Sequence, residues 1–328
     1  MTENTAHSNR GQPEPTAFYT VKETAQHLRL AASAAVKRGV PAETLRSLAD
    51  LVSPSTVRLI LEHYLAKKDG EIVTFTIDMA ERLLAIARVY VKAPEAQIQV
   101  LERYCVKLRK KRRAGLTEKN TAVIRTFKNP ENRNRLKRLP GQLFDEALAE
   151  RDAPIQAAVK AEIALAIQIL LVAPMRLANL AALNLEENVV RVGGIEPTYH
   201  LVIPPEEVKN EEPLEYPLPK VMNEMLGTYL AVFRPRLCRN ASPWLFPGEF
   251  GHKTKGTLSD QIIDRITKEI GIRVTPHQFR HLAAAFILEK DPANYEFVRR
   301  VLGHKNLQTT INFYVGLEIN PQVLSDGA

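Results

Sequence analysis

The chain has 328 residues, of which 45% are hydrophobic and 25% are charged, so it is long enough for two domains with globular cores. Its formal net charge of +8 favours polyanionic partners, nucleic acid before anionic membrane. The two cysteines, Cys105 and Cys238, belong to no C-x-x-C pair, which argues against a zinc site and against a disulfide framework. This cysteine usage suits a reducing compartment.

The N-terminal sequence MTENTAHSNRGQPEPT is polar and lacks the apolar core of a signal peptide. We predict that residues 1–15 form a disordered tail. No stretch reaches about 18 apolar residues without a charge, so the sequence predicts no transmembrane helix and no membrane partner. A cytoplasmic location is the corresponding expectation.

From Val21 to about Arg113 the sequence reads as one helix after another. Apolar residues recur every three or four positions, and no strand pattern interrupts them. Ser53 with Pro54 marks the start of a helix, and Gly70 marks its end. We therefore predict an all-α N-terminal domain.

The last of these helices runs into KLRKKRR, residues 107–113, in which six of seven side chains are cationic. These charges repel one another unless a counter-charge is present, and a phosphate backbone supplies one while releasing condensed counterions. A solvated basic face is the alternative interpretation. We predict that the run contacts DNA through Lys107, Arg109, Lys110, Lys111, Arg112 and Arg113.

The second half of the chain has a different pattern. Residues 116–135 include the polar stretch KNPENRN, for which we predict a basic connector containing a short helix. The apolar segment AAVKAEIALAIQILLVA (157–173) predicts a helix at the centre of a second core. NVVRV (188–192), TYHLVIP (198–204) and LEYPLP (214–219) predict a small antiparallel sheet, after which helices resume.

The predicted fold class is therefore mainly α with a small antiparallel sheet. We place a helical, DNA-binding domain with its basic connector at residues 16–130. An α+β domain follows at residues 131–328.

Several polar residues stand within otherwise apolar elements of this second domain. They are two arginines, two histidines, one tyrosine and a lysine in the turn between two predicted strands: Arg176, Arg280, His277, His304, Tyr314 and Lys209. No acidic residue joins them at metal-ligand spacing, and no glycine-rich phosphate loop is present in the sequence. We therefore expect a site without metal or cofactor.

This set of residues suits chemistry at a phosphate group. Two arginines can each donate paired hydrogen bonds to phosphoryl oxygens and stabilise the charge of a pentavalent transition state. Nearby cations favour the phenolate form of a tyrosine, which can then act as a nucleophile. A histidine can accept or return the phenolic proton, and a lysine can protonate the leaving hydroxyl.

In this order, Arg176, the His277-x-x-Arg280 pair, Leu302-Gly303-His304 and Tyr314 resemble the catalytic signature of the tyrosine recombinase (phage integrase) family. The resemblance covers roughly residues 136–318 and implies the catalytic domain of that family. The helical domain before it resembles the family's core-binding domain in position and helix content.

Carried over residue by residue, the resemblance implies that Arg176 and Arg280 grip the scissile phosphate. Tyr314 would attack it, leaving a 3′-phosphotyrosine and a free 5′-hydroxyl. His277 would transfer protons and orient the phosphate, His304 would hydrogen-bond it, and Lys209 would be the general acid.

The sequence departs from the family pattern at several positions. Pro174-Met175 precede Arg176 where glycine is common, and Asn179 takes the place of an acidic residue. The tyrosine often falls nine residues after the histidine of L-G-H, where this chain has Phe313, so we assign Tyr314 as the nucleophile. Lys253 and Lys255 lie in another loop and have no assignment.

We predict a structural role for His281, because Arg280 already completes the H-x-x-R spacing. The predicted function is a site-specific DNA recombinase or integrase from a mobile element, acting on double-stranded DNA in the nucleoid. Exchange between two duplexes implies a homotetramer in the synaptic complex, with accessory DNA-bending proteins as further candidate partners. The alternatives are a type IB topoisomerase, which reseals the same strand, and a catalytically inactive DNA-binding protein.

Overall fold

The computed structural model describes residues 18–67, 72–111, 115–193, 198–205, 213–238 and 241–314. The chain divides into two compact units, Met1–Arg113 and Ala114–Ala328. This division comes earlier in the chain than the boundary that we predict between residues 130 and 131. The predicted tail at residues 1–15 lies outside the described residues.

The first unit is helical throughout its described residues, as predicted. Ser53 begins one helix by accepting a hydrogen bond from the backbone N–H of Thr56, and Pro54 occupies its first turn. Ile60, Met79 and Leu101 are at most 2% exposed and form part of the core. The helices are α1 (Phe18–Lys37), α2 (Leu48–Leu51), α3 (Pro54–Ala66), α4 (Thr74–Ile86), which continues into a π-helical turn (Ala87–Val91), and α5 (Glu95–Lys110).

The second unit contains a three-stranded antiparallel sheet of order β1-β2-β3, which confirms the predicted strands. Leu201 on the central strand lies opposite Val189 and Tyr216. A separate antiparallel pair of strands, each two residues long, follows later in the chain. The strands are β1 (Val189–Val192), β2 (Thr198–Ile203), β3 (Leu214–Pro217), β4 (Pro247–Gly248) and β5 (Gly251–His252).

The helices of this unit pack mainly against one another, and α10 contacts the central strand of the sheet. They are α6 (Glu118–Lys128), α7 (Pro130–Ala149), α8 (Pro154–Val172), α9 (Leu177–Ala181), α10 (Lys220–Thr228), α11 (Arg234–Leu237), α12 (Lys255–Ile270), α13 (Pro276–Lys290), α14 (Tyr295–Leu302) and α15 (Leu307–Tyr314). A π-helical turn (Tyr229–Phe233) joins α10 to α11.

The connector that we predict at residues 116–135 is wrong, because this segment is almost entirely helical. Thr117 caps α6, and Asn129 caps α7 by accepting a hydrogen bond from the backbone N–H of Glu131. Phe127 and Leu136 are buried in the core of the second unit. The polar residues that suggested a connector lie at the caps and on the exposed faces of the two helices.

Helix α8 is the central core helix predicted from the sequence. Within the described residues it is the one helix that is long and apolar enough to cross a membrane, yet 61% of its 18-residue apolar window is buried inside the fold. Ala164, Leu165 and Ile167 are fully buried. Burial of this kind is what a core helix requires.

A buried ion pair joins α8 to the segment before α12. Glu162 is fully buried, and the ammonium of Lys253 donates hydrogen bonds to its Oε2 and, at 3.0 Å, to Oε1 of Gln261. Within the described part of the chain, Oε1 of Glu162 has no hydrogen-bond partner. Burial raises the pKa of Glu162, and Lys253 opposes that shift. Lys253 is therefore engaged in holding the fold together.

Candidate active site

Helix α13 carries three of the polar side chains at the centre of the site. Its start is fixed by Pro276 and by the Gln278 side chain, which accepts a hydrogen bond from the Thr275 N–H at 2.9 Å. The apolar side of the helix buries Phe279 and Leu282 in the core of the second unit. This packing buries Arg280 and His281 and leaves His277 exposed.

Arg280 connects three segments of the site. Its Nη1 donates to the carbonyl of Pro174 at 2.7 Å, and its Nη2 donates to the carbonyl of Leu302 at 2.5 Å. Burial and the charge of Arg176 lower its pKa. The guanidinium thus holds the residues just before Arg176 and just before His304 next to α13.

Arg176 precedes α9 and is half-buried. Its Nη1 is buried and has no hydrogen-bond partner among the residues that the structure describes. Burial lowers its pKa, which reflects the cost of keeping this charge away from water. An unpaired guanidinium nitrogen at the edge of a cleft is suited to an anionic ligand.

An open cleft of about 650 Å³ lies next to this guanidinium. Its polar side is formed by Arg176, Arg299, His304 and Lys305. Within the cleft, Arg299 pairs with Glu296 at 2.9 Å. The cleft is therefore positively charged, as a phosphate site requires.

The L-G-H turn positions His304 at this cleft. Helix α14 ends at Leu302 and is followed by Gly303, whose φ of 58° lies in the left-handed region. His304 Nδ1 lies 2.9 Å from the hydroxyl of Thr310. Burial and the charges of Arg280, Arg176 and Arg299 lower the pKa of His304 to about 4. The ring is therefore neutral at neutral pH and can donate one N–H to a phosphate oxygen.

His277 lies at the exposed side of the same site. Its ring packs edge-on against that of His281, with the ring centres 4.8 Å apart. Desolvation by the surrounding protein atoms lowers the pKa of His277, and the charges of Arg280 and Arg176 lower it further. A neutral imidazole at this place can accept a proton.

Tyr314 lies at the end of α15 and is only 2% exposed. Its ring packs in a small apolar cluster with Ala284, Leu288, Val298 and Leu302. Burial raises the pKa of its phenol well above the ordinary value, although Arg280 opposes the shift. Our expectation that nearby cations favour the phenolate is therefore wrong for this conformation, because burial outweighs them.

His281 is the residue whose role sequence reasoning underestimated. Its Nδ1 lies 2.9 Å from the hydroxyl of Tyr314, and its Nε2 is buried without a partner in the described chain. Burial lowers the pKa of His281 to about 3, so the hydrogen bond joins a neutral imidazole to a neutral phenol. The two residues are 33 positions apart, and no local pattern in the sequence connects them.

The remaining predicted residues are placed as follows. Lys209, Arg112 and Arg113 lie outside the described residues. Lys107, Lys110 and Lys111 are exposed at the end of α5, while Arg109 bonds to Glu81 at 2.7 Å. Asn179 is buried in α9. In the described ranges, no group of three or more His, Cys, Asp or Glu side chains is placed to hold a metal ion.

Arg176 and His304 line a cationic cleft, an arrangement that suits the binding of phosphate groups. The sequence profile of the phage integrase family matches residues 143–319, more than half of the chain. The chain therefore belongs to the phage integrase family.

Curated relatives match shorter segments. The tyrosine recombinase XerA of Pyrococcus furiosus is 37% identical over 98 residues, 29% of this chain and 32% of the relative. A putative tyrosine recombinase XerC of Pseudomonas aeruginosa is 34% identical over 65 residues, 19% of this chain and 15% of the relative. Transposase A from transposon Tn554 of Staphylococcus aureus is 37% identical over 70 residues, 21% of this chain and 19% of the relative. This chain thus spans less than a third of the length of these relatives.

Solved structures are similar over most of their length at low identity. The XerH site-specific recombinase bound to difH substrate, a pre-cleavage complex, aligns over 92% of this chain and 93% of its own, with 16% identity and a TM-score of 0.46. The XerA recombinase aligns over 92% and 96%, with 16% identity and a TM-score of 0.37.

Proposed function

We propose that this protein is a site-specific DNA recombinase that cuts and rejoins strands through a covalent bond between Tyr314 and a DNA 3′-phosphate. Membership of the phage integrase family supports this proposal, as do relatives named tyrosine recombinases and a transposase. The observation that carries it is that Arg280 joins the segments of Arg176 and His304, which both line one cationic cleft, while Tyr314 packs in the cluster of Leu302 beside that turn.

The unpaired Nη1 of Arg176 supports a phosphate as the ligand of this cleft. Arg176 binds the scissile phosphate, and His304 donates a hydrogen bond to one of its oxygens. Arg280 is occupied by two backbone carbonyls, so its contribution to the phosphate comes from charge and from any donor that these carbonyls leave free. No metal ion is needed to neutralise a phosphate held by two guanidiniums.

The reaction forms a bond between the Tyr314 oxygen and phosphorus and breaks the bond from phosphorus to the 5′-oxygen. The phenolic proton passes to His277, and Lys209 protonates the leaving 5′-oxygen to give the free 5′-hydroxyl. Attack by a 5′-hydroxyl on the phosphotyrosine reverses these steps, so the strand is rejoined without ATP. Tyr314 must first leave its bond to His281, because the buried phenol is neutral and does not line the cleft.

The biological setting is proposed from the same chemistry. Exchange of strands between two duplexes requires a homotetramer on double-stranded DNA, with accessory bending proteins as further candidate partners. The protein acts in the nucleoid, and the relative from a transposon supports a mobile element as its source.

The test uses a nicked duplex in which cleavage releases a short strand and traps the covalent product. Wild-type protein is expected to form an adduct that survives denaturation, and Tyr314→Phe is expected to form none, because phenylalanine has no nucleophilic oxygen. Tyr295→Phe is the matched control, since the hydroxyl of Tyr295 is buried without a partner in the described structure. An adduct in Tyr314→Phe would contradict the assignment of the nucleophile.

The same assay separates the alternative functions. A gel shift without any covalent product in the wild-type protein would indicate a DNA-binding protein without catalysis. Relaxation of a supercoiled plasmid without recombination at a defined site would indicate a topoisomerase.

The basic end of α5 allows a separate prediction about DNA binding. Changing Lys107, Lys110 and Lys111 to glutamine is expected to weaken binding and to reduce the slope of log K against log salt by up to about 3, roughly 0.9 for each lost phosphate contact. No ion pair engages Lys107 or Lys110 among the described residues, so their charges are available to DNA.

The control for this prediction changes the same number of charges elsewhere in the unit. Arg29, Lys37 and Lys67 are exposed on other helices or at their ends. Their triple glutamine variant has the same net charge and is expected to keep a steeper slope than the α5 variant. Equal slopes in the two variants would show that only net charge matters.

A further inference from the structure

The C-terminal end of α14 is capped by side chains from two other elements. The last carbonyls of a helix have no partner inside the helix and need one elsewhere. The carbonyl of Leu302 accepts its hydrogen bond from Arg280, and the carbonyl of Val301 accepts one from the hydroxyl of Tyr216 at 2.8 Å. Both carbonyls come directly before Gly303 and His304.

Strand β3 also contacts the glycine of this turn. A Cβ atom added to Gly303 would lie 2.9 Å from Cδ2 of Leu214. Leu214 and Tyr216 alternate along β3 with exposed residues, so they form the buried face of the strand. This one face therefore supports both the last turn of α14 and the turn that carries His304.

Tyr216 is itself part of the cationic environment. It is 8% exposed, and burial raises the pKa of its phenol to about 12, while the charges of Arg280 and Arg176 act in the opposite direction. It therefore stays a neutral hydrogen-bond donor beside both arginines. Its hydroxyl already donates a hydrogen bond to the carbonyl of Val301, which argues against a role as the nucleophile.

We propose that Tyr216 is a positioning residue of the active site, which holds the end of α14 so that His304 stays against Arg280 and faces the cleft. The inference rests on the proposed function for its catalytic consequence, but the geometry that it predicts exists in the free protein.

The experiment compares Tyr216→Phe with Tyr229→Phe. Tyr229 is also buried, and its hydroxyl donates to the carbonyl of Leu245 at 3.1 Å, so each variant loses one buried hydrogen bond from tyrosine to a carbonyl. A purely structural role predicts the same behaviour for both. We expect Tyr216→Phe to slow formation of the covalent adduct about 10-fold or more at saturating DNA, with unchanged DNA affinity, and Tyr229→Phe to cleave at the wild-type rate.

A second measurement does not depend on catalysis. The imidazole of His304 is titrated by NMR in the free protein, where the charges of Arg280, Arg176, Arg299 and His277 act on it and His281 also interacts with it electrostatically. In Tyr216→Phe the loosened turn exposes the ring to water, so its pKa is expected to move up from about 4. In Tyr229→Phe it is expected to stay in place.

The outcomes are decisive in either direction. Cleavage by Tyr216→Phe at the wild-type rate, equal slowing in both variants, or an unchanged titration of His304 would each overturn the positioning role. If the wild-type protein forms no adduct, the proposed function fails, and the titration of His304 alone decides this inference.

Discussion

Replacing Arg176 by alanine is expected to abolish cleavage while leaving the free energy of unfolding unchanged or slightly higher. The lost guanidinium removes the phosphate contact that we propose for Arg176, which we expect to slow adduct formation by at least about 10³-fold. Its buried Nη1 has no partner within the described structure, so truncation breaks no hydrogen bond there and removes a desolvated charge. Single-turnover cleavage and urea unfolding measure the two effects.

Arg280→Ala is the matched comparison, because the same side chain is lost from the same site. Here two hydrogen bonds to buried carbonyls disappear, so we expect a loss of about 2–5 kcal/mol in unfolding free energy in addition to the loss of cleavage. The prediction fails if both variants lose similar stability, since Arg176 would then have a structural role as well.

Lys253→Ala is expected to destabilise the second unit by about 3–5 kcal/mol, because it leaves the carboxylate of Glu162 buried without a counter-charge. Lys160→Ala on the same helix is the control. Lys160 pairs with the half-exposed Glu146 at 2.9 Å, and such partly exposed pairs contribute at most about 1 kcal/mol. Thermal or urea unfolding of the two variants gives the comparison.

The loss in Lys253→Ala should depend on pH in a defined direction. Burial raises the pKa of Glu162 in the folded protein, and removal of Lys253 takes away the charge that opposes this shift. A carboxyl whose folded pKa is raised stabilises the fold when protonated and loses that contribution as pH rises. The deficit relative to wild type should therefore be smaller at about pH 5 than at about pH 8. A deficit that is larger at the lower pH would argue against an uncompensated carboxylate.

Much of the fold could be predicted from the sequence because it depends on local patterns. The three strands of the sheet follow from β-branched and aromatic runs between turn residues, and α13 follows from Thr275, Pro276 and the apolar spacing after them. The prediction of a connector at residues 116–135 was wrong because capping residues and polar helix faces have the same amino-acid composition as a connector. Only the buried positions of Ile124 and Phe127, one turn apart, distinguish the two.

The candidate site likewise contains residues that the sequence predicts and contacts that it does not. Arg176, His277, Arg280, His304 and Tyr314 could be named from short motifs, in which spacing along a helix fixes which side chains share a turn. The bond between His281 and Tyr314 spans 33 positions, and the bond between Tyr216 and Val301 spans 85, so neither follows from spacing. Burial of Tyr314 likewise depends on packing by α13 and α14, and this packing reverses the expected pKa of the phenol.

The hydrogen bond between Tyr314 and His281 has a kinetic consequence. If the phenol reacts only after it is uncovered, the measured cleavage rate is the intrinsic chemical rate multiplied by the fraction of molecules in the uncovered state. Any contact that shifts this fraction, including DNA at the cleft or a neighbouring subunit, would change turnover without touching the reacting atoms. Strand breakage would then be controlled by the occupancy of a minor conformer, and the enzyme that we propose would stay inactive on DNA until that conformer is populated.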